Sequence, residues 1–586
     1  MNRKAWMIVL AAVAATAISA GVTAWWAVRP GEVEVDVGRR LPTPESLAAH
    51  CRDQVGEGRV EEVAEGVFVA IGYDLANTVL VKTADGNVVV DVSMSPARAR
   101  EVKAALMVRA PGPTRAIVLT HSHIDHVGGA SVWMEEGTKV WATDAFTDHF
   151  FKQYGVFREA ESRRGRRQFG QDVGEDALPC SALGRRPSID DALEVGVRMP
   201  TDTFSGQARF EVGGVTFELF EAHGETHDQL FVWLADRKVL MCGDNYYAAF
   251  PNLYTIRGTS PRPVKAWIAS LDQMRALEPE MLVPSHTTPV RGAALIQTQL
   301  TDYRDAIQWI RAEVIRGANA GVSVDELAAT VGLPAHLRAQ PAVEELYGQV
   351  DWSVRAIYDG ELGWFDGRAE TLYPLAPADE ASRTVALMGG PEAVRKAVAE
   401  AQASGEHRWA LHLVALLRRS GDQGADLDGL EVASLRALGG SVVNTNGRGY
   451  LLQRAMELSG QAHPTGKPTL DDAMVDAIPL DLIFEVMSSR LIPARSLEAH
   501  ETVMFELGED EPVVLTVRHG VAEVRRGAAL PRTPEALAVV KTDGRTWRRI
   551  ALGVESPAEA VARGALVVEG DRAGFLRFVQ RFERGI

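Results

Sequence analysis

Ala116-Ile117-Val118-Leu119-Thr120-His121-Ser122-His123-Ile124-Asp125-His126-Val127-Gly128-Gly129 is the stretch on which the reading of this chain turns. An apolar run ends at Leu119. Within a few residues it is followed by His121, His123, Asp125 and His126, all able to ligate a metal. A strand ending in His-x-His-x-Asp-His places imidazoles and a carboxylate on one loop, a donor set suited to zinc or a similar borderline divalent ion. The chain has only 14 histidines in 586 residues, so this density argues against a chance histidine-rich loop.

Further donors follow downstream, in Ala222-His223-Gly224-Glu225-Thr226-His227, in Cys242-Gly243-Asp244-Asn245 and in Pro284-Ser285-His286-Thr287. The first motif is the signature of the metallo-β-lactamase superfamily. That superfamily usually continues with Gly-His-Thr, an Asp after a strand and a last His. Here Glu225 stands where the Gly-His-Thr histidine is expected, exchanging a neutral ligand for an anionic, harder oxygen. With that exchange the chain resembles the linear alkyl sulfatases, hydrolases that cleave fatty-alcohol sulfates such as dodecyl sulfate. The resemblance continues in Met199-Pro200-Thr201-Asp202-Thr203, Asn252-Leu253-Tyr254-Thr255-Ile256-Arg257-Gly258, Gly363-Trp364-Phe365-Asp366-Gly367 and Leu387-Met388-Gly389-Gly390-Pro391. It spans roughly Ala49 to the C-terminus. One position departs from that family's pattern: where the family uses Glu, this chain has Asp244, the residue that most of the wider superfamily uses.

The resemblance implies an α/β fold, a metallo-β-lactamase αββα sandwich followed by a helical dimerisation domain and a small α+β sterol-carrier-like domain. It also implies two zinc ions per chain. His121, His123 and Glu225 would hold one, Asp125, His126 and His286 the other, and Asp244 would bridge them. Asp125 and Arg257 are then the catalytic residues, with Arg257 binding the sulfate, and Asp91 orients the His-x-His loop. His223 and His227 flank Glu225 and compete for its role, ranked below it as surface or supporting histidines. Arg163-Arg164-Gly165-Arg166-Arg167 is a weaker sulfate candidate, read as a solvated face, and Arg262 is assigned no role.

The residues themselves support a multidomain reading. At 586 residues, with 46% hydrophobic and 24% charged side chains, the chain has core for several domains. A net charge of −16 argues against nucleic acid as a partner, so any attraction for a sulfate ester must be local. Val67 to Ile71, Thr78 to Val81 and Val88 to Val90 read as strands, and Pro96 to Val108 as a helix. Apolar residues recur at helical spacing over Leu295 to Arg316, Pro391 to Ser404 and Ala410 to Arg419. Leu480 to Leu491 then reads as a helix, Thr502 to Leu507, Val513 to Val517 and Val521 to Arg525 as strands, and Asp571 to Glu583 as a closing helix. The expected divisions are 1–30, 31–292, 293–462 and 463–586.

Arg3 and Lys4 precede an uncharged run from Ala5 to Val28, long enough to span a bilayer, with Trp25 and Trp26 at its outer end. It reads as a membrane anchor, or as a signal peptide cleaved after small residues. Both place the body on the periplasmic or extracellular side, anchored to the inner membrane or secreted. The cysteines are Cys51, Cys180 and Cys242. An odd number is no complete disulfide framework: Cys242 reads as buried and inert, and a Cys51–Cys180 bridge stays open.

The reading is a dimetal hydrolase of linear alkyl sulfates acting as a homodimer. Two alternatives stand beside it. One is a dimetal hydrolase of another ester, such as a phosphodiester or lactone. The other is a membrane-tethered lipid-binding protein without catalysis.

Overall fold

The computed structural model describes residues 35–464, 466, 468–527 and 536–583. The expected anchor over residues 5–28 lies outside them. No helix among the described residues is long and apolar enough to cross a membrane.

Two sheets face each other. In the first, β1 (Arg59–Ala64), β2 (Val67–Ile71), β3 (Thr78–Thr83), β4 (Gly86–Val90), β5 (Thr114–Val118), β6 (Lys139–Thr143) and β7 (Asp202–Phe204) are neighbours in that order. Pairing is antiparallel as far as β4 and parallel from β4 to β7. In the second, β8 (Gln207–Val212), β9 (Val215–Glu221), β10 (Leu230–Leu234), β11 (Val239–Gly243), β12 (Met281–Pro284) and β13 (Val290–Arg291) also follow chain order, with β11 and β12 parallel.

The uninterrupted apolar runs have a simple cause. In β2, Val67, Val69 and Ile71 join the core between the sheets, while Phe68 and Ala70 join the core on the other face. A strand buried on both faces has no polar alternation to show. Val79, Val88 and Val118 meet Phe217, Val232 and Val283 across the sandwich. The outer faces are covered by helices. On the first sheet lies α1 (Pro96–Arg109), which buries Ala99, Val102 and Leu106. Ser95 caps it by accepting from Arg98 N, with Pro96 in the first turn, where its missing N–H costs nothing. After α2 (Arg158–Phe169), α3 (Val264–Ala276) packs Trp267, Leu271 and Met274 over the second sheet, joined by α4 (Ala293–Asn319). The architecture is the expected αββα sandwich.

Helices dominate the next stretch: α5 (Val350–Leu362), α6 (Pro377–Leu387), α7 (Pro391–Ala403), α8 (His407–Arg419), α9 (Leu427–Ser441) and α10 (Thr445–Leu458). α6 to α8 share a core of their own, including Val385, Val394, Val398 and Leu413. α10 returns to α2, where a Cβ on Gly449 would lie 2.5 Å from Gln168 O. The last unit sets α11 (Leu480–Ser489) on a five-stranded sheet. Its strands are β14 (His500–Glu506), β15 (Val513–Arg518), β16 (Val521–Arg526), β17 (Ala538–Lys541) and β18 (Val567–Gly570), in the order β16-β15-β14-β17-β18. Ile483 and Phe484 of α11 pack with Phe505 and Trp547. The closing helix α12 (Arg572–Val579) stops short of Glu583, because Phe582 leaves the helix to pair with Leu491.

Cys51 and Cys180 form a disulfide, Cα to Cα 5.7 Å, and Cys242 is free and buried. The bridge ties the helix Pro44–His50 and its extension to the loop carrying Ala182 and Leu183.

A candidate dimetal centre

Parallel strands put their carboxyl ends on one side of a sheet, and the loops that leave them converge there. Asp91 follows β4, His121 follows β5, Asp244 follows β11 and His286 follows β12. The two parallel runs, one in each sheet, thus bring distant residues to the same edge. The short helical turn Ile124–Val127 then carries Asp125 and His126 inward. It packs tightly on the loop after β4. A Cβ on Gly128 would lie 1.9 Å from Met94 O, and one on Gly129 2.2 Å from Val92 O, so only glycine allows this approach.

Two sets of donor atoms converge: His121, His123 and Asp244 in one, Asp125, His126 and His286 in the other. His121 Nε2 is 2.9 Å from His123 Nδ1 and 3.7 Å from Asp244 Oδ2. His126 Nε2 lies 3.4 Å from Asp125 Oδ2 and 3.5 Å from Asp244 Oδ1. His286 Nε2 is 3.1 Å from Asp244 Oδ2 and 3.6 Å from Asp125 Oδ2. Asp244 therefore stands between the sets with one carboxylate. His126 Nε2, Asp244 Oδ1 and Glu225 Oε2 are buried with no hydrogen-bond partner in the protein. Buried polar atoms are rarely left so. Unpaired lone pairs on imidazole and carboxylate, converging from opposite sides, fit a pair of divalent cations.

Glu225 stands further out than the six. Its Oε1 is 3.8 Å from His123 Nδ1 but 2.7 Å from Arg262 Nη1. Arg262, left without a role by the sequence, is a buried cation that competes for this carboxylate. The Glu225 loop is pinned at Gly224, where a Cβ would lie 1.7 Å from Asn245 Oδ1, while Asn245 Nδ2 donates to Ala222 O. His223 instead pairs with Glu221, and His227 stacks on His149 with ring centroids 5.5 Å apart. Neither joins the two donor sets.

The imidazoles are oriented from behind. Asp91 is fully buried and has a positive φ of 56°, a strained conformation for a residue with a side chain. Its Oδ1 accepts from Thr120 N (2.9 Å) and its Oδ2 from Thr120 Oγ1 (2.9 Å), His126 Nδ1 (2.7 Å) and Ser285 Oγ (2.8 Å). With its Nδ1 proton held there, His126 turns the Nε2 lone pair to the centre. His286 Nδ1 donates to Leu75 O at 2.8 Å with the same result. Burial, with His126 nearby, depresses the His121 pKa to about 3, and burial depresses His123 likewise. Both are therefore neutral, the ligating form. Burial would raise Asp244, but His286, His126 and His121 hold it well below the usual range. Burial lifts Glu225 to about 7 against the pull of Arg262.

Arg257 is brought to the same place. Its Nη2 lies 3.0 Å from His123 Nε2, and Nη1 donates to Glu161. Glu161 Oε1 also accepts from Gln153 Nε2 at 2.8 Å, and that amide donates to Tyr154 Oη at 3.1 Å. Tyr154 Oη accepts again from Ile124 N at 2.9 Å, between two of the donor residues. Both its lone pairs are engaged, so its own proton is free to donate, and burial holds the phenol protonated. The sequence offered no signal for Glu161 or Tyr154. They sit on α2 and on the turn Lys152–Val156 before it, placed by packing against α10 and α11.

Two of the four arginines of the expected solvated face are paired with carboxylates. Arg166 donates to Asp172 at 2.9 Å and Arg167 to Glu457. Such pairing uses their charges to dock α2 on its neighbours.

The centre opens into a cavity of about 650 Å³. His123, Asp125, Arg257 and His286 line one end, and Leu470, Met474, Ile478, Leu482, Ile483 and Val486 of the last domain line another part.

Comparison with known proteins agrees along most of the chain. Residues 71–286 match the metallo-β-lactamase superfamily, 323–461 the alkyl sulfatase dimerisation domain and 468–585 the alkyl sulfatase C-terminal domain. A linear primary-alkylsulfatase of Pseudomonas sp. is 29% identical over 522 residues, covering 86% of this chain and 98% of that one. An (R)-specific secondary-alkylsulfatase of Pseudomonas sp. is 29% identical over 535 residues, covering 87% and 78%. The solved structure of the stereoselective inverting sec-alkylsulfatase Pisa1 from Pseudomonas sp. superposes with a TM-score of 0.83 at 25% identity, covering 96% of this chain and 94% of that one. With its three domains in this order and its donor residues at the junction of two parallel strand runs, the chain belongs to the alkyl sulfatase family of the metallo-β-lactamase superfamily.

Proposed function

We propose that the protein hydrolyses linear alkyl sulfate esters, R–OSO₃⁻ + H₂O → ROH + HSO₄⁻, at a two-zinc centre. The observation that carries this reading is the meeting of the donor cluster and Arg257 with an apolar cavity at one point. A substrate with a charged head and a hydrocarbon tail is what such a junction accommodates. His121, His123, Asp244, Asp125, His126 and His286 are the proposed ligands, with Glu225 as the seventh once it yields Arg262. Two divalent ions held there would supply Lewis acidity and a water nucleophile at neutral pH.

The chain's own residues do the rest. Arg257 presents a planar guanidinium that binds two sulfate oxygens at once. A metal held by His123 through Nδ1 would leave the proton of the neutral ring on Nε2. The guanidinium then keeps Glu161 as its partner and has an open edge for an anion. Tyr154 donates its free proton in a hydrogen bond to an ester oxygen. The alkyl chain lies along Leu470, Leu482 and Ile483, removing about 0.8 kcal/mol of unfavourable hydration per buried methylene.

Export fits the Cys51–Cys180 bridge, because disulfides persist in oxidising compartments. The uncharged run at residues 5–28 would carry the protein there as an anchor or as a cleaved signal. The dimerisation-domain match supports a homodimer.

The test is inorganic sulfate release from dodecyl sulfate by zinc-loaded protein, beside Asp125→Ala/His126→Ala and Arg257→Met. Release that vanishes in the first variant and falls about a hundredfold in the second supports the reading. No release with two zinc ions bound would transfer the assignment to phosphodiesters or lactones. Water labelled with ¹⁸O decides the bond broken: label in the alcohol means C–O cleavage, label in sulfate S–O cleavage.

A further inference from the structure

A second chamber of about 320 Å³ lies beside the apolar cavity, and Arg257, Glu161 and Glu225 wall both. The two spaces differ in character. The cavity is floored by leucine and isoleucine of the last domain and carries five arginines against eight carboxylates, whereas the chamber carries four cations, Lys152, Arg164, Arg257 and Arg262, against the two carboxylates Glu161 and Glu225, with His149 and His227 beside them. Arg164 is held rigidly by neutral oxygens: Nε donates to Ile256 O at 3.0 Å and Nη2 to Tyr254 Oη at 3.2 Å. Among the described residues, neither Arg164 nor Lys152 has a carboxylate oxygen within 4.0 Å. That contrasts with Arg166 and Arg167 on the same helix, both paired. In a chain of net charge −16, this excess of cations over carboxylates, with Lys152 and Arg164 not ion-paired, makes the chamber a local positive site. His149 and His227 stack in parallel there, two further groups able to donate N–H to an anion.

We propose that this chamber receives the inorganic sulfate product, which leaves past Arg257 on the cationic side while the alcohol stays in the apolar cavity. The proposal rests on the sulfatase reading above. Its physical basis is that the two products have opposite solvation demands. A dianion leaving through the cavity would pass Leu, Ile and an excess of carboxylates, and the alkyl chain gains nothing from a charged chamber. Separate exits keep the bound alcohol from trapping sulfate on Arg257.

The experiment uses the full-length, zinc-loaded protein, with sulfate binding measured by calorimetry on the resting enzyme and as product inhibition during turnover. The Kd and inhibition constant for sulfate should both rise at least fivefold in Lys152→Gln/Arg164→Gln and return towards the original in Lys152→Arg. In crystals of the unaltered protein, selenate should give an anomalous peak between Lys152 and Arg164. Unchanged sulfate constants in a folded double variant, or selenate at Arg257 alone, would overturn the proposal. If the double variant does not fold, the selenate position decides by itself. Binding to the resting enzyme judges the chamber independently of catalysis, whereas absence of sulfate release from any alkyl sulfate would count against the hydrolase reading instead.

Discussion

Replacing Asp91 with Asn tests whether the centre is held from behind as the geometry requires. Asp91 Oδ2 accepts three side-chain donors, from Thr120, His126 and Ser285, and Oδ1 accepts Thr120 N. Asn is the same shape but has one oxygen and one NH₂. With the NH₂ at the Oδ2 position, it meets His126 Nδ1–H donor to donor. The imidazole then shifts its proton to Nε2, the nitrogen that must carry a lone pair for metal. With the NH₂ at Oδ1, it faces Thr120 N–H instead, and the loop that carries His121 is pushed out. Partners of this kind change metal affinity about 10- to 100-fold, or about 1.4–2.7 kcal/mol. Each buried donor left unsatisfied costs about 1–3 kcal/mol of stability besides. Zinc per chain after dialysis against a graded chelator, together with thermal melts at saturating zinc, separates the two effects. The expected result is a weakened second zinc and a lowered melting temperature that excess zinc only partly restores. Two zinc ions bound by Asp91→Asn with unaltered affinity would refute the reasoning.

Other consequences follow from the same contacts. Tyr154→Phe removes the phenol proton proposed to donate to the ester oxygen and should lower kcat tenfold or more, with circular dichroism unchanged; an undiminished kcat in stopped-time sulfate assays would remove Tyr154 from the mechanism. Ile483→Asp puts a charge into the apolar cavity and should raise KM for dodecyl sulfate far more than for butyl sulfate; equal effects would place the tail elsewhere. Cys51→Ser opens a bridge closing a separation of 129 residues and should destabilise the fold by about 2–5 kcal/mol, seen as an earlier denaturant midpoint that reductant reproduces in the unaltered protein. Burial opposes ionisation of Asp172, but His463, Gln453 and Arg166 together hold its pKa at about 2, below the usual 3.8. Its contribution, of order 2 kcal/mol, is therefore complete above about pH 4 and lost as pH falls towards 2. Asp172→Asn should abolish that part of the acid sensitivity in melts between pH 5 and 3.

His121, His123, Asp125 and His126 were legible because they are local: a strand and one turn place all four, whatever the rest of the chain does. Glu225, Asp244, His286, Asp91 and Arg257 were nameable only through family resemblance, since nothing in a linear chain shows that the strand ends of two facing sheets will converge there. The strands of the sandwich were readable from β-branched runs too apolar for any surface, and the helices from their periodicity. The closing helix was read too long because periodicity does not reveal that Phe582 pairs with Leu491. The parity of three cysteines left the pairing open, and proximity in the fold selected Cys51 and Cys180.

Composition and local pattern thus determined which elements form and the metal-binding character of one loop, because both depend on neighbours in the chain. Only the tertiary structure decided that Arg262 draws on Glu225, that Tyr154 and Glu161 stand beside Arg257, and that Arg164 and Lys152 keep their charges unpaired. These are relations between side chains on separate elements, and a charge becomes a site or a solvated surface according to which carboxylates packing leaves within its reach.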